Sequence, residues 1–183
     1  LPIWKKYADG FVFYIDSTTD DTISYLNSVK DEFNILEIIE RQESDVNVKM
    51  ETDERQLLFD TALKYSKHII CMDADEYLDG NMTKRQLLEL LESHPDTVFY
   101  LQWIQYTSTN TIRVDGPWKH NFKDRIGSYT KECKFAPRQM HSTHLPIPAT
   151  ELSIPLTQLF ISHLQWIDKN HAAIKQYYWK IID

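Results

Sequence analysis

Two strand-length runs constrain this chain more than any other feature. Residues 11–15 (Phe-Val-Phe-Tyr-Ile) and 68–72 (His-Ile-Ile-Cys-Met) are apolar almost throughout, and each stops at an aspartate, Asp16 or Asp73. A strand with one wetted face alternates apolar and polar residues, whereas a strand covered on both faces is apolar along its length. Both runs therefore predict buried strands with helices above and below. Between and after them lie stretches of helical period. Ser17-Thr18-Thr19-Asp20-Asp21-Thr22 supplies turn and cap residues, and Ile23, Leu26, Val29 and Phe33 follow at near-helical spacing. Residues 34–39 read as a second strand. Asp53 opens a helix whose Leu57, Leu58, Ala62 and Tyr65 share one face. Thr83 and Gln86 form a capping box ahead of Leu87, Leu88, Leu90 and Leu91. Residues 98–105 are a further strand. This β-α-β-α alternation predicts an α/β fold, with a mixed, mostly parallel sheet flanked by helices.

Residues 106–158 break the pattern. They hold five of the seven prolines and no long periodic helix, which predicts either an irregular substrate-binding region or short antiparallel strands. Residues 159–163 read as a last strand, and Asp168 caps a helix carrying Ala172, Ala173, Ile174, Tyr177, Tyr178 and Ile181. With 183 residues, one domain is expected. The 20 Lys and Arg against 27 Asp and Glu argue against a nucleic-acid binder, which needs clustered cations. Only four glycines are present, and Gly80, in Asp79-Gly80-Asn81, alone sits in a strong turn signal; a glycine-rich phosphate loop is absent. No apolar run approaches the roughly 18 residues of a membrane span. Cys71 and Cys133 form no CxxC pair, which favours a reduced, cytoplasmic setting.

The chemistry is expected where apolar strands end in acid, because ligands of open α/β sheets bind outside the carboxyl ends of the strands. In Asp73-Ala74-Asp75-Glu76 the first and third side chains of an extended segment point the same way. Carboxylates gathered at a buried strand end repel each other unless a cation sits between them, and hard oxygen ligands suit Mg²⁺ or Mn²⁺. His141, His144 and His163 also pose a zinc reading, against ordinary loop hydrogen bonding. Trp118, after Gly116-Pro117, is a candidate for stacking on a sugar ring, while Trp103 reads as core. Lys119, Lys123, Arg125, Lys131, Lys134 and Arg138 read as a solvated basic face, with diphosphate binding as the sharper alternative.

These segments resemble those of family 2 glycosyltransferases. Ile15-Asp16-Ser17-Thr18-Thr19-Asp20-Asp21-Thr22 is similar to the family's Asp-x-Ser-Thr-Asp-Gly-Thr strand end, and Cys71-Met72-Asp73-Ala74-Asp75-Glu76-Tyr77-Leu78 to its Asp-Ala-Asp-Glu segment. Arg55 and Ala62, Leu1-Pro2-Ile3-Trp4, and the late His163-Leu164-Gln165-Trp166 also match family patterns in order. The resemblance implies a GT-A fold, a nucleotide-sugar donor (a UDP-sugar first) and a glycan, protein or lipid acceptor. It divides the domain into a donor-binding part, 1–105, and an acceptor-binding part, 106–183. It also implies that Asp16 meets the base, Asp73 the ribose or nucleotide, and Arg55 the nucleotide or its phosphates. Asp75 would ligate Mn²⁺ or Mg²⁺, with His163 as a further ligand.

Three departures qualify the resemblance. Asp21 stands where the family has glycine. Relatives carry a His-Glu pair where this chain reads Met140-His141-Ser142-Thr143-His144, so the general base is open among Asp115, Asp124, Glu132, His141 and His144, with Asp124 and Glu132 favoured. The family's strand before the Leu-Pro segment has no counterpart, which predicts a vacant sheet position beside the strand at residues 11–15. Other readings are a noncatalytic nucleotide-sugar or carbohydrate-binding domain and a nucleotidyltransferase of similar sheet. An aspartyl-phosphate phosphatase is disfavoured, because Tyr77 replaces the Thr or Val that its motif places two residues past the second Asp.

Overall fold

The structure is a computed structural model that describes residues 1–16, 18–41, 51–138, 142–148, 153–165 and 167. A 3₁₀ turn, Trp4–Lys6, leads into strand β1 (Phe11–Asp16), short helices α1 (Thr22–Ser28) and α2 (Lys30–Phe33), and β2 (Ile35–Arg41). Helix α3 (Glu51–Leu63), β3 (His68–Ile70), β4 (Glu76–Gly80) and α4 (Lys84–Ser93) follow. The long β5 (Thr97–Ser108) turns back through β6 (Thr111–Ile112), and a second 3₁₀ turn (Gly116–His120) leads to β7 (Phe122–Ser128). Strand β8 (Ser153–His163) completes the described part.

The fold is mixed α/β, and the expected mostly parallel sheet is corrected. Strands β1 and β2 pair in parallel as a separate two-stranded sheet. The larger sheet runs β3-β7-β5-β8-β4, with β6 beside β5. Within it β3/β7, β5/β7, β5/β6 and β4/β8 are antiparallel, and β5/β8 alone is parallel. The reason lies in the 106–158 stretch. A parallel neighbour needs a crossover of a dozen or more residues, usually a helix, and this segment holds no long periodic helix. It folds back first through β6 and β7, and β8 then lies parallel to β5, so the antiparallel alternative of the sequence reading holds for β6 and β7.

Packing follows the two faces of β5. Phe99 and Leu101 join Leu87 and Leu91 of α4 and Ile126 of β7 in one core, while Val98 faces Phe59 of α3, Tyr129, Phe135 and Leu145 in another. The capping box of α4 forms as expected: Gln86 N–H donates to Thr83 Oγ1 at 3.3 Å, and Thr83 N–H to Gln86 Oε1 at 2.9 Å. Helix α3 buries a different face from the one its leucines suggested. Phe59, Thr52 and Thr61 are buried, whereas Leu57 and Tyr65 are each 49% exposed. The Asp79-Gly80-Asn81 signal marks the end of β4, where Gly80 pairs with Leu159 at φ +134°. A Cβ there would lie 2.2 Å from the Gln158 carbonyl oxygen, so the glycine is needed for close strand approach. Among the described residues no helix is long and apolar enough to cross a membrane. The helix expected after Asp168, Trp166 and His141 lie outside the described residues.

Candidate functional site

The two acidic strand ends meet at the first turn of α3. Arg41, at the end of β2, reaches Asp16 Oδ1 at 3.4 Å and Glu54 Oε1 at 3.0 Å. Nearby, burial and then the Glu54 carboxylate push the Tyr14 phenol up to about 12. One residue along α3, Arg55 is held by Glu51 at 2.7 Å and lies 3.3 Å from His144 Nε2. That same His144 nitrogen is 3.1 Å from Asp73 Oδ2. Asp16, Arg55 and Asp73, expected as donor-binding residues, line one cavity with Glu51, Glu54 and His144.

The connection between β3 and β4 forms a tight turn around a buried carboxylate. Glu76 is 2% exposed and pairs with Arg125, 1% exposed, at 2.6 Å. Its Oε1 also accepts from Trp103 Nε1 at 2.7 Å, and its Oε2 from the Asp73 N–H at 3.1 Å. Burying an ion pair is costly unless further hydrogen bonds satisfy the charges. Here the carboxylate is satisfied from three directions, while Arg125 Nε and Nη1 meet no acceptor among the described residues. Glu76 thereby fixes the backbone from which Asp73 and Asp75 project.

Asp75 and His163 come from different strands and converge, with Asp75 Oδ2 3.3 Å from His163 Nε2. The ring orientation is set from behind. His163 Nδ1 is 2.7 Å from Gln105 Oε1, which only accepts, so Nδ1 carries a proton. The Gln105 amide is in turn oriented by donating from Nε2 to the Tyr106 carbonyl at 3.3 Å. With Nδ1 engaged by Gln105, His163 turns Nε2 toward a carboxylate, an arrangement that calls for a proton or a cation between them. The Asp75 carboxylate suits Mn²⁺ or Mg²⁺, whereas the His163 imidazole is a donor of the softer kind that a transition-metal ion accepts more readily than Mg²⁺. Among the described residues no third His, Cys, Asp or Glu completes a cluster. A hard cation held here would fill its shell with water and phosphate oxygens, as such ions commonly do.

Trp103 stacks on the His163 ring at 4.3 Å between centroids, and Trp118 on Trp103 at 5.5 Å. Arg113 covers the Trp118 ring at 4.6 Å, and Lys123 lies 5.5 Å from the Trp103 centroid. Trp118 is thus part of a stack that braces His163, rather than an open platform for a sugar. Of the basic face, Arg125 is buried and Lys134 pairs with Asp60.

The favoured bases do not join this group. Asp124 is 5% exposed, and its Oδ2 accepts from the backbone N–H of His144 at 2.6 Å and of Leu145 at 2.7 Å. It anchors the turn that presents His144, a structural use of the carboxylate. Glu132 is exposed on the segment after β7, and no hydrogen bond or ion pair ties it to Asp73 or Asp75 among the described residues. Asp115 is engaged by Arg113 at 2.8 and 3.1 Å, which holds its carboxyl below the usual range. Cys71 and Cys133 are free thiols, and burial pushes Cys71 up to about 11, so it serves as packing.

Burial pushes the Asp124 carboxyl up, against the N–H donors and against Arg125 and Arg55. Asp124→Ala strands two buried N–H groups and is expected to cost about 2–4 kcal/mol, whereas Asp124→Asn keeps an acceptor oxygen and costs less. The sign of the pH dependence follows from the raised value. The folded chain holds a proton that the unfolded chain has lost above about pH 3.9. The stability this group contributes therefore falls as pH rises from there through the folded value. Urea unfolding of wild type and Asp124→Asn over this range checks it, since their difference should decline with pH; a rising difference would contradict a burial-dominated shift.

Compared with known families and curated proteins, the chain matches no family model and no curated sequence.

Proposed function

We propose that this chain is a metal-dependent glycosyltransferase of the GT-A kind, taking a nucleotide-diphosphate sugar, a UDP-sugar first, as donor. The observation that carries this reading is the convergence of Asp75 and His163 beside Asp73, at the carboxyl end of an apolar strand, with the His163 tautomer fixed by Gln105. In this reading Asp75 and His163 hold Mn²⁺ or Mg²⁺. An ion held there would supply neutralisation of the charge that develops on a departing diphosphate. Asp16, at the end of β1, accepts hydrogen bonds from the nucleotide base. Asp73 orients the ribose, and Arg55 and His144 offer donors to the nucleotide. Glu76 and Arg125 keep the Asp73–Asp75 turn from relaxing, so these groups are in place before the donor arrives.

One observation favours a second reading. Asp124 is committed to backbone donors and Glu132 stands apart, so neither favoured base for the acceptor hydroxyl is among the grouped residues, and of the described candidates His144 alone joins them. A noncatalytic nucleotide-sugar-binding domain has no need of one. Calorimetric titration with Mn²⁺ alone, UDP alone and both, followed by an assay of UDP release from UDP-sugars, tests the two. Mn²⁺-dependent UDP binding with UDP release supports the transferase. Mn²⁺-dependent binding without release, across varied acceptors, supports the binding domain. No binding of UDP or UDP-sugar with Mn²⁺ present defeats both.

A further inference from the structure

The far end of β5 runs on into a tongue, residues 106–123, built from β6 and the second 3₁₀ turn. Its two faces differ. Tyr106 pairs with Ile112, and the Arg113 N–H donates to the Gln105 carbonyl at 2.8 Å. Side chains alternate across a strand, so Gln105 and Arg113 share one face, and Tyr106 and Ile112 the other. On the Gln105 face Arg113 covers Trp118, which stacks on Trp103, which stacks on His163. That face is occupied in bracing the candidate site.

The other face presents apolar side chains to solvent. Gln102 and Ile104 lie on the Tyr106 side by the same alternation, and Gln102 pairs with Phe122. Ile112 and Phe122 are 45% and 42% exposed, and Val114, just past β6, is 61% exposed. Single surface apolar residues call for no explanation, but three gathered at one end of a sheet do.

Cations rim this patch. Lys119 and His120 are exposed on the 3₁₀ turn, and the Lys119 carbonyl accepts from Gln102 Nε2 at 3.4 Å, which holds the turn against the Phe122 side. The Lys119 side chain makes no ion pair among the described residues. Asp115, the one acid from 106 to 123, is engaged by Arg113 at 2.8 and 3.1 Å. The tongue is therefore locally positive on a chain of net charge −7. Charge complementarity selects an anionic occupant, and repulsion of the remaining acidic surface would let only this end approach it. A second copy meeting the same patch would set cation against cation. A stable protein complex buries about 800 Å² on each partner, more than three such side chains supply. A membrane interface asks less: a few apolar side chains entering the headgroup boundary, with lysine beside them to meet lipid phosphates.

We propose that the 106–123 tongue docks on an anionic lipid surface, with Ile112, Val114 and Phe122 entering the headgroup boundary and Lys119 against the lipid phosphates. The stack from Arg113 to His163 would then hold the candidate site at a fixed orientation to that surface. This inference does not rest on the transferase reading.

Co-sedimentation tests it with two kinds of vesicle, phosphatidylcholine alone and phosphatidylcholine mixed equally with phosphatidylglycerol. The protein is expected to bind the anionic vesicles at least about 5-fold more tightly, with the difference shrinking as salt rises. Lys119→Glu, a change of two charges, should remove most of that preference. The triple variant Ile112→Ser, Val114→Ser, Phe122→Ser should weaken binding at least about 10-fold. Its melting temperature should match wild type because all three side chains are exposed; should it melt early, Lys119→Glu alone carries the comparison. Equal binding to both vesicles, binding to neither, or undiminished binding by Lys119→Glu or by the folded triple variant overturns the proposal. Poly-glutamate displacing the protein from vesicles would assign the patch to soluble acidic chains, and also overturns it. So would vesicle-free self-association that the triple variant abolishes, since the patch would then belong to a second copy.

Discussion

Glu76→Ala will lower the unfolding free energy by about 3–5 kcal/mol, the usual consequence of removing one partner of a buried ion pair. The loss is large because three donors depend on this carboxylate. Arg125 would keep its charge at 1% exposure with only Asp73, at 3.5 Å, left as a counter-ion, and Trp103 Nε1 and the Asp73 N–H would lose their acceptor. At about 2–4 °C per kcal/mol for a domain of this size, the melting temperature should drop by roughly 10 °C. Glu76→Gln separates charge from shape. Its amide oxygen can serve Arg125 and Trp103, but its NH₂ then faces the Asp73 N–H, donor against donor, so an intermediate loss is expected. Thermal melts of the two variants check this. Equal, negligible losses would show that the pair contributes nothing to the fold.

Asp75→Ala is expected to cut Mn²⁺-dependent UDP release at least about 100-fold, since even residues that only orient metal ligands cost 10- to 100-fold when removed. That is about 2.7 kcal/mol of barrier. Stability should change little, because the Asp75 side chain is about a third exposed rather than built into a core. Measuring release across a Mn²⁺ series separates the causes. Recovery at high Mn²⁺ means weakened ion affinity, whereas undiminished release at all concentrations would remove Asp75 from the metal site.

How much of this was legible in the sequence depended on range. The strands at 11–15, 34–39, 68–72 and 98–105 were readable because continuous apolar runs are a local signal, and so was the Thr83–Gln86 cap. Strand β4 was not, because Glu76-Tyr77-Leu78-Asp79-Gly80 shows acids and a turn glycine, and only pairing with β8 makes it a strand. The buried face of α3 was misjudged in part, since Phe59 is buried with Ala62 and Leu63 packed beside it, whereas Leu57 is half-exposed. Asp16 and Asp73, singled out by their positions at strand ends, line one cavity with Arg55, and Asp75 stands beside His163, the last two pairings having been suggested by the family resemblance rather than by any local signal. Glu76, Arg125 and Gln105 were missed in their supporting roles. The signal available was a charged or amide residue within an apolar strand, as in Asp124-Arg125-Ile126 and Trp103-Ile104-Gln105, but its partner is distant in sequence. Asp124 was favoured as a base for being acidic in the right region, and nothing local reveals that two backbone N–H groups occupy it.

The register of β4 and β8 carries a further consequence. Glu76 sits directly opposite His163, and the Leu164 N–H donates to the Asp75 carbonyl at 2.9 Å. The two converging side chains therefore belong to a single ladder at the sheet's border, not to two independent loops. Slippage by one residue would turn one of them to the opposite face. An ion gripped by both would act as a rivet across that border, and its escape would be timed by the fraying of β4 rather than by the breaking of either bond alone.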